Sequence, residues 1–153
     1  MRKGNLLIID DEEDIIEIIK NILSQFSANI YTAKNGKEAL EKIKTYKMHL
    51  IICDINMPKM SGVDFLKTIR AEENNVPVVF FTGYGNKELM LEAAKYGAFD
   101  FIEKPMFYQL EEIALRGMQA GLKQEDPAMP IENLPHVEIT KYQKLLKELS
   151  QKK

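Results

Sequence analysis

Three aspartates stand where apolar runs stop: Asp10 and Asp11 after "LLII", and Asp54 after "LIIC". Thr82 follows "VVFF" in the same way, and Lys104 follows "FIE". A lone aspartate at a strand end ordinarily caps a helix or closes a turn. Five polar residues closing four apolar runs ask for more than caps. Two unit charges about 4 Å apart repel by roughly 4 kcal/mol at an effective dielectric near 20. Carboxylates crowded that closely shift their pKa values, move apart or bind a cation. Oxygen-only ligands select a hard ion, and Mg²⁺ keeps several waters, takes few carboxylates and often adds a phosphoryl oxygen. The natural ligands are Asp11 and Asp54, with Asp10 directly or through water, and the backbone carbonyl of Asn56. Lys104 brings compensating positive charge and Thr82 a hydroxyl donor. A metal, an ammonium and a hydroxyl around one carboxylate neutralise the oxygens of a phosphoryl group while that carboxylate attacks it.

Such a site exists only if the chain folds these ends together. Five β-like runs alternate with helical spacing: "NLLII", "ANIYTA", "HLIIC", "PVVFF" and "AFDFI". Between the first two, Ile15, Ile18, Ile19, Ile22 and Phe26 form one apolar stripe of a helix from Glu13 to about Phe26. Asn35-Gly36 breaks the second run before "KEALEKIKTY", and a third helix starts near Gly62 with Val63, Leu66 and Ile69 on one face. "NKELMLEAAKYG" closes on Gly97, and a last helix of the unit covers roughly Met106 to Lys123. Gly117 and Gly121 are expected to weaken its end by up to about 1 kcal/mol each relative to alanine.

Alternating strands and helices imply a parallel sheet with helical crossovers. Runs one, three and four are continuously apolar, as strands covered on both faces should be. Runs two and five are mixed, with Asn29, Tyr31 and Thr32 in one and Asp100 in the other, which places them at the edges. The expected fold is α/β, a flavodoxin-like doubly wound five-stranded sheet of order 2-1-3-4-5, whose ligands bind beyond the carboxyl ends of strands one and three. All five polar residues then lie on one edge, and Asp54 sits on a rigid strand end facing solvent.

The remaining composition narrows the function. With 153 residues, 45% apolar and 29% charged, the chain has room for one ordinary domain and a short appendage. A formal charge of −2 without a basic stripe argues against direct nucleic-acid binding. The single cysteine, Cys53, forms no internal disulfide and is read as a buried strand residue. No run reaches the length of a membrane span or a signal peptide, so a cytoplasmic protein is expected. His49 and His136 fall in no ligand or triad pattern. Met57, Met60, Met90, Met106 and Met118 are read as core filler.

Residues 1–123 thus form one domain, 124–137 a proline-rich linker with "QEDPAMPIENLP", and 138–153 an amphipathic helical tail. The tail's stripe is Ile139, Tyr142, Leu145, Leu146 and Leu149. Three fates are open to it: docking on its own domain, pairing two chains as a homodimer, or leading into an output domain of a longer regulator.

"IIDDEED", "ICDINMPKMSG", "FFTGYG" and "FIEKP" resemble the four signature segments of the receiver domain of two-component response regulators, from about Asn5 to Lys123. By this resemblance Asp54 accepts a phosphoryl group from a sensor histidine kinase or histidine phosphotransfer protein. Asp10 and Asp11 hold Mg²⁺, Lys104 and Thr82 grip the phosphoryl oxygens, and a cis peptide bond precedes Pro105. Thr82 and Phe101 match the family's switch positions, and Asn56 and Tyr84 those that tune self-dephosphorylation. Phenylalanine lacks the hydroxyl of a tyrosine, so a switch at Phe101 rests on packing. The face of the fourth helix, fifth strand and fifth helix is the family's usual output surface, toward an unknown downstream protein.

Two rivals share parts of this pattern. A Mg²⁺-dependent aspartyl-phosphate phosphohydrolase wants a second carboxylate two residues after its nucleophile, where this chain has Asn56. A flavin-binding module wants a hydroxyl- and glycine-rich phosphate loop after strand one, where "DDEED" would repel the phosphate. No Gly-x4-Gly-Lys-Ser/Thr loop is present for direct use of ATP. The expectation is a phosphoacceptor that is not an enzyme, performing only its own phosphorylation and dephosphorylation.

Overall fold

The computed structural model describes residues 2–129 and 139–151. Its strands are β1 (Gly4–Ile9), β2 (Ser27–Ala33), β3 (Leu50–Cys53), β4 (Val78–Thr82) and β5 (Asp100–Glu103). All pair in parallel, in the order β2-β1-β3-β4-β5. Burial explains the order. Every residue of β3 and β4 is buried, and so is β1 apart from Asn5, whereas the middle of β2 is open to solvent. β5 lies at the other edge, yet its first three residues are buried, because a further helix covers it.

The helices are α1 (Glu13–Leu23), α2 (Gly36–Thr45), α3 (Gly62–Ala71), α4 (Lys87–Lys95), α5 (Phe107–Glu125) and α6 (Lys141–Gln151). Successive strand residues face opposite sides, so β1 splits its side chains between two apolar layers. Leu7 and Ile9 join the layer of Val63, Leu66, Met90 and Ala93 from α3 and α4. Leu6 and Ile8 join the layer of Ile16, Ile19, Leu110 and Ile113 from α1 and α5. Met57, Met90 and Met118 are core residues, as expected.

Local chemistry sets the boundaries. Asn35, Ser61 and Asn86 each accept the backbone N–H three residues on, capping α2, α3 and α4. Asn35-Gly36 is therefore a helix start as well as a strand stop. Gly97 follows α4 at φ 72°, the left-handed conformation that glycine adopts at low cost. The first helical stripe is shorter than its spacing suggests: α1 ends at Leu23 and a 3-10 turn, Ser24–Phe26, carries the rest. α5 runs two residues past Lys123, to Glu125, and the tail helix begins at Lys141 with Thr140 ahead of it. The expected linker beyond Met129, and His136 within it, lie outside the described residues. Among the described residues, no helix is long and apolar enough to cross a membrane.

Gly117 and Gly121 serve α5 in a way that helix propensity alone does not reveal. A Cβ on Gly121 would lie 1.7 Å from the His49 carbonyl oxygen, and one on Gly117 2.7 Å from Leu50 Cδ1. The absent side chains let α5 lie directly on the start of β3. His49 fastens the same place: the Asn5 N–H donates to its Nδ1 at 2.9 Å, and its Nε2 faces the Glu125 carboxylate at the end of α5. Gly121→Ala is expected to lower stability by about 3 kcal/mol, the upper end of ordinary overpacking, read as an earlier urea midpoint at unchanged slope.

Candidate functional site

The sheet register builds the site. Ile9 pairs with Cys53, so Asp10 and Asp54 are the next residues on adjacent strands. Each continues the ladder one step: the Asp54 N–H donates to the Ile9 carbonyl at 2.9 Å, and the Asp10 N–H to that of Ala33 at 3.0 Å. Lys104 does the same beyond β5, its N–H donating to the Thr82 carbonyl at 2.9 Å. The backbones of three expected site residues are thus tied to a buried sheet, and their side chains are left to adjust. The Lys104–Pro105 peptide bond that follows is cis, as the resemblance implied.

The Lys104 ammonium lies across the carboxylates. Its Nζ is 2.9 Å from Asp10 Oδ2, 3.5 Å from Asp54 Oδ2 and 3.9 Å from Glu12 Oε1. Asp10 Oδ1 accepts the Glu12 N–H at 2.9 Å, and Asp54 Oδ1 the Asn56 N–H at 3.4 Å. Asp54 is more enclosed than a solvent-facing strand end: it is 6% exposed, with Lys104 lying over it. Burial pushes the Asp10 carboxyl up, while Lys104 and the Glu12 N–H pull it back. Burial alone would lower the Lys104 ammonium, but its bond to Asp10 and the charges of Asp10, Asp54 and Glu12 hold it above the usual lysine value. The Cys53 thiol is fully buried and pushed well up, so it is no nucleophile.

Asp10, Asp11 and Glu12 can each offer one carboxylate oxygen, all within 4.8 Å of one another. Asp10 and Asp11 were expected in such a cluster, and Glu12 was not. The acidic run "DDEED" contains it, but not the turn, closed by the Glu12 N–H on Asp10 Oδ1, that brings it beside Asp10. Thr82 is fully buried at the end of β4, its hydroxyl accepting the Tyr84 N–H at 3.1 Å. Tyr84 itself is 60% exposed on the loop beside the site. Phe101 lies farther back, buried between the rings of Phe80 (centroids 5.9 Å apart) and Tyr142 (6.4 Å). Lys104 therefore joins Asp10 to Asp54, Asp11 and Glu12 join through Asp10, Thr82 and Tyr84 follow at the end of β4, and Phe101 lies apart in the core.

The response regulator receiver domain family matches residues 6–116. The chain belongs to that family. Among relatives, the transcriptional regulatory protein ZraR of Escherichia coli K12 is 30% identical over 126 residues, covering 82% of this chain and 29% of ZraR. This receiver thus spans about three-tenths of that longer relative. Among solved structures, the signal receiver domain of a putative LuxO repressor protein from Vibrio parahaemolyticus has a TM-score of 0.77 at 24% identity, covering 84% of this chain and all of that one. A CheY crystallised with CheX, BeF₃ and Mg²⁺ from Borrelia burgdorferi is 29% identical with a TM-score of 0.68, covering 73% of this receiver and 87% of that chain.

The charge balance at this site has a measurable consequence. Lys104→Met leaves the buried Asp10 carboxylate without its cation, which is expected to cost about 3 kcal/mol near neutral pH. A carboxyl whose folded-state pKa is raised costs stability above that pKa, and the cost disappears as pH falls through it. Urea unfolding in Mg²⁺-free buffer should therefore show a deficit that narrows on acidification.

Proposed function

We propose that this receiver accepts a phosphoryl group on Asp54 from the phosphohistidine of a sensor histidine kinase or a histidine phosphotransfer protein, in the cytoplasm, and signals by protein contact. The observation that carries the reading is one ammonium, Lys104 Nζ, in reach of both Asp10 and Asp54 at the carboxyl edge of the sheet. An Asp54 carboxylate oxygen attacks phosphorus and forms the new O–P bond. The P–N bond breaks, its electron pair stays on the imidazole nitrogen, and that nitrogen takes a proton from solvent. Lys104 balances the added charge from a fixed position, and the Thr82 hydroxyl, now held by the Tyr84 N–H, is the neighbouring donor.

The donor set suits Mg²⁺, being all oxygen with carboxylates clustered on one side of the cleft. Asp10, Asp11 and Asp54 would hold the ion with the Asn56 backbone carbonyl, and Glu12 offers a further carboxylate beside Asp10 and Asp11. When bound, the ion neutralises charge on the phosphoryl oxygens. The Borrelia CheY complex, crystallised with Mg²⁺ and BeF₃, supports Mg²⁺ as the ion for this receiver. Asn56 leaves no second carboxyl to act as a general acid, which favours a phosphoacceptor over a phosphohydrolase. Nucleic acid is not a direct ligand of this receiver, whose formal charge is −2.

Acetyl phosphate plus Mg²⁺, followed by intact mass, is expected to give a single phosphoryl adduct. The adduct should vanish in Asp54→Ala and with excess chelator; an adduct surviving Asp54→Ala would refute the assignment. Tyr84, exposed beside the site, shields the acyl phosphate from water, so Tyr84→Ala is expected to shorten its lifetime severalfold. An unchanged decay rate would reject the shield.

A further inference from the structure

α6 rests on β5 through its first turn. The Thr140 hydroxyl donates to Asp100 Oδ1 and the Tyr142 hydroxyl to the Ala98 carbonyl, each at 2.7 Å. Beside this seat, between the start of α6, the end of β5 and the first turn of α5, lies a cavity of about 150 Å³. Met90, Phe101, Met106 and Ile139 give it apolar walls.

One wall is polar and unsatisfied. Gln109 lines the cavity and is only 6% exposed, yet its side-chain amide makes no hydrogen bond among the described residues. Buried amides are ordinarily paired, because an unmade hydrogen bond leaves the whole desolvation of the group uncompensated. Leucine would fill similar volume in α5 without that penalty. Water alone suits the cavity poorly, since four apolar walls offer it none of the partners that it needs. A free donor and a free acceptor facing an apolar space are the wall of a ligand site.

The rim is positive. Lys141 and Lys144 line it from α6; Lys141 pairs with Glu103 Oε1 at 3.1 Å, whereas Lys144 has no ion pair among the described residues. Two ammoniums against one carboxylate leave one net positive charge. α5 starts on the opposite side with neither a side-chain cap nor an acid in its first turn, so its dipole adds to the same sign.

We infer that this cavity binds a small carboxylic acid with a compact apolar body. The carboxylate meets Lys144 and the start of α5, the body lies against Met90 and Phe101, and Gln109 supplies the hydrogen bond inside. An apolar cavity of this volume holds roughly one benzene ring, which sets the size of the body. Inorganic phosphate would leave the apolar walls uncovered, and a plain hydrocarbon would leave Gln109 and Lys144 unused. Neither Asp54 nor Lys104 lines the cavity, so the site is separate from the phosphoacceptor cleft and needs no metal.

Benzoate titrated into the whole chain tests the inference, followed by the NMR signals of the Gln109 side-chain amide and of the Phe101 and Lys144 backbones. Expected is a saturable shift of all three, with a dissociation constant on the order of 1 mM or tighter. Benzamide, the same shape without the charge, should bind about threefold more weakly or worse, and inorganic phosphate should give no saturable shift. Lys144→Ala, at an exposed side chain, should weaken benzoate by about threefold and leave benzamide unchanged. Gln109→Leu should weaken both by about fivefold while leaving the urea midpoint no lower than that of the parent chain. Equal binding of benzoate and benzamide would overturn the carboxylate assignment. Benzoate binding that survives both substitutions, shifts centred on Asp54 and Lys104, or the absence of any saturable shift would overturn the site.

Discussion

One ammonium balances the carboxyl edge of this sheet, and most of the fold can be understood as holding it there. Asp10 and Asp54 sit side by side because Ile9 and Cys53 are paired in register, and neither backbone can retreat without breaking a ladder bond. The carboxylates therefore cannot relieve their repulsion by moving apart. Lys104 must reach them from β5, two strands away from β3, and its own backbone is tied to Thr82 to make that reach reproducible. The buried strands supply rigidity, since apolar side chains on both faces leave them no cheap displacement.

How much of this was legible in the sequence follows from which interactions are local. Strand order could be read because burial on one face or two writes itself into consecutive residues, as "LIIC" and "VVFF" show beside the mixed "ANIYTA". Asp10, Asp54, Thr82 and Lys104 could be read because each directly ends such a run. Glu12 was missed because its place depends on a turn closed by its own N–H to Asp10, which residue spacing alone does not announce. Gly117 and Gly121 were misjudged for a related reason: helix propensity is a property of α5 alone, whereas their use lies in the approach of His49 and Leu50 from β3. Enclosure of Asp54 likewise depends on Lys104 arriving from 50 residues away.

Asp100 shows the same limit in a subtler form. Its polarity marked the fifth run as an edge strand, and it is one. A polar residue on an edge strand need not face water: at Asp100 the side chains of Thr140 and Gln143 stand where water would. An uncovered edge strand invites pairing with another chain, and proteins blunt such edges with charges or with a covering element. This receiver does both at one residue. The carboxylate discourages a foreign strand, and α6 lies along the edge as a helix, which cannot extend the sheet.

Phe101 joins the two halves of the molecule. Lacking a hydroxyl, it has no polar partner to fix its ring, so its position is decided by what packs against its faces. Phe80 on one side belongs to a wholly buried central strand and has little freedom. Tyr142 on the other side belongs to a helix held chiefly through its first turn. Moving a population from 1:99 to 99:1 takes roughly 5.5 kcal/mol of differential interaction. For a ring with no polar partner any such bias has to come through packing, and Tyr142 supplies one of the two faces that pack.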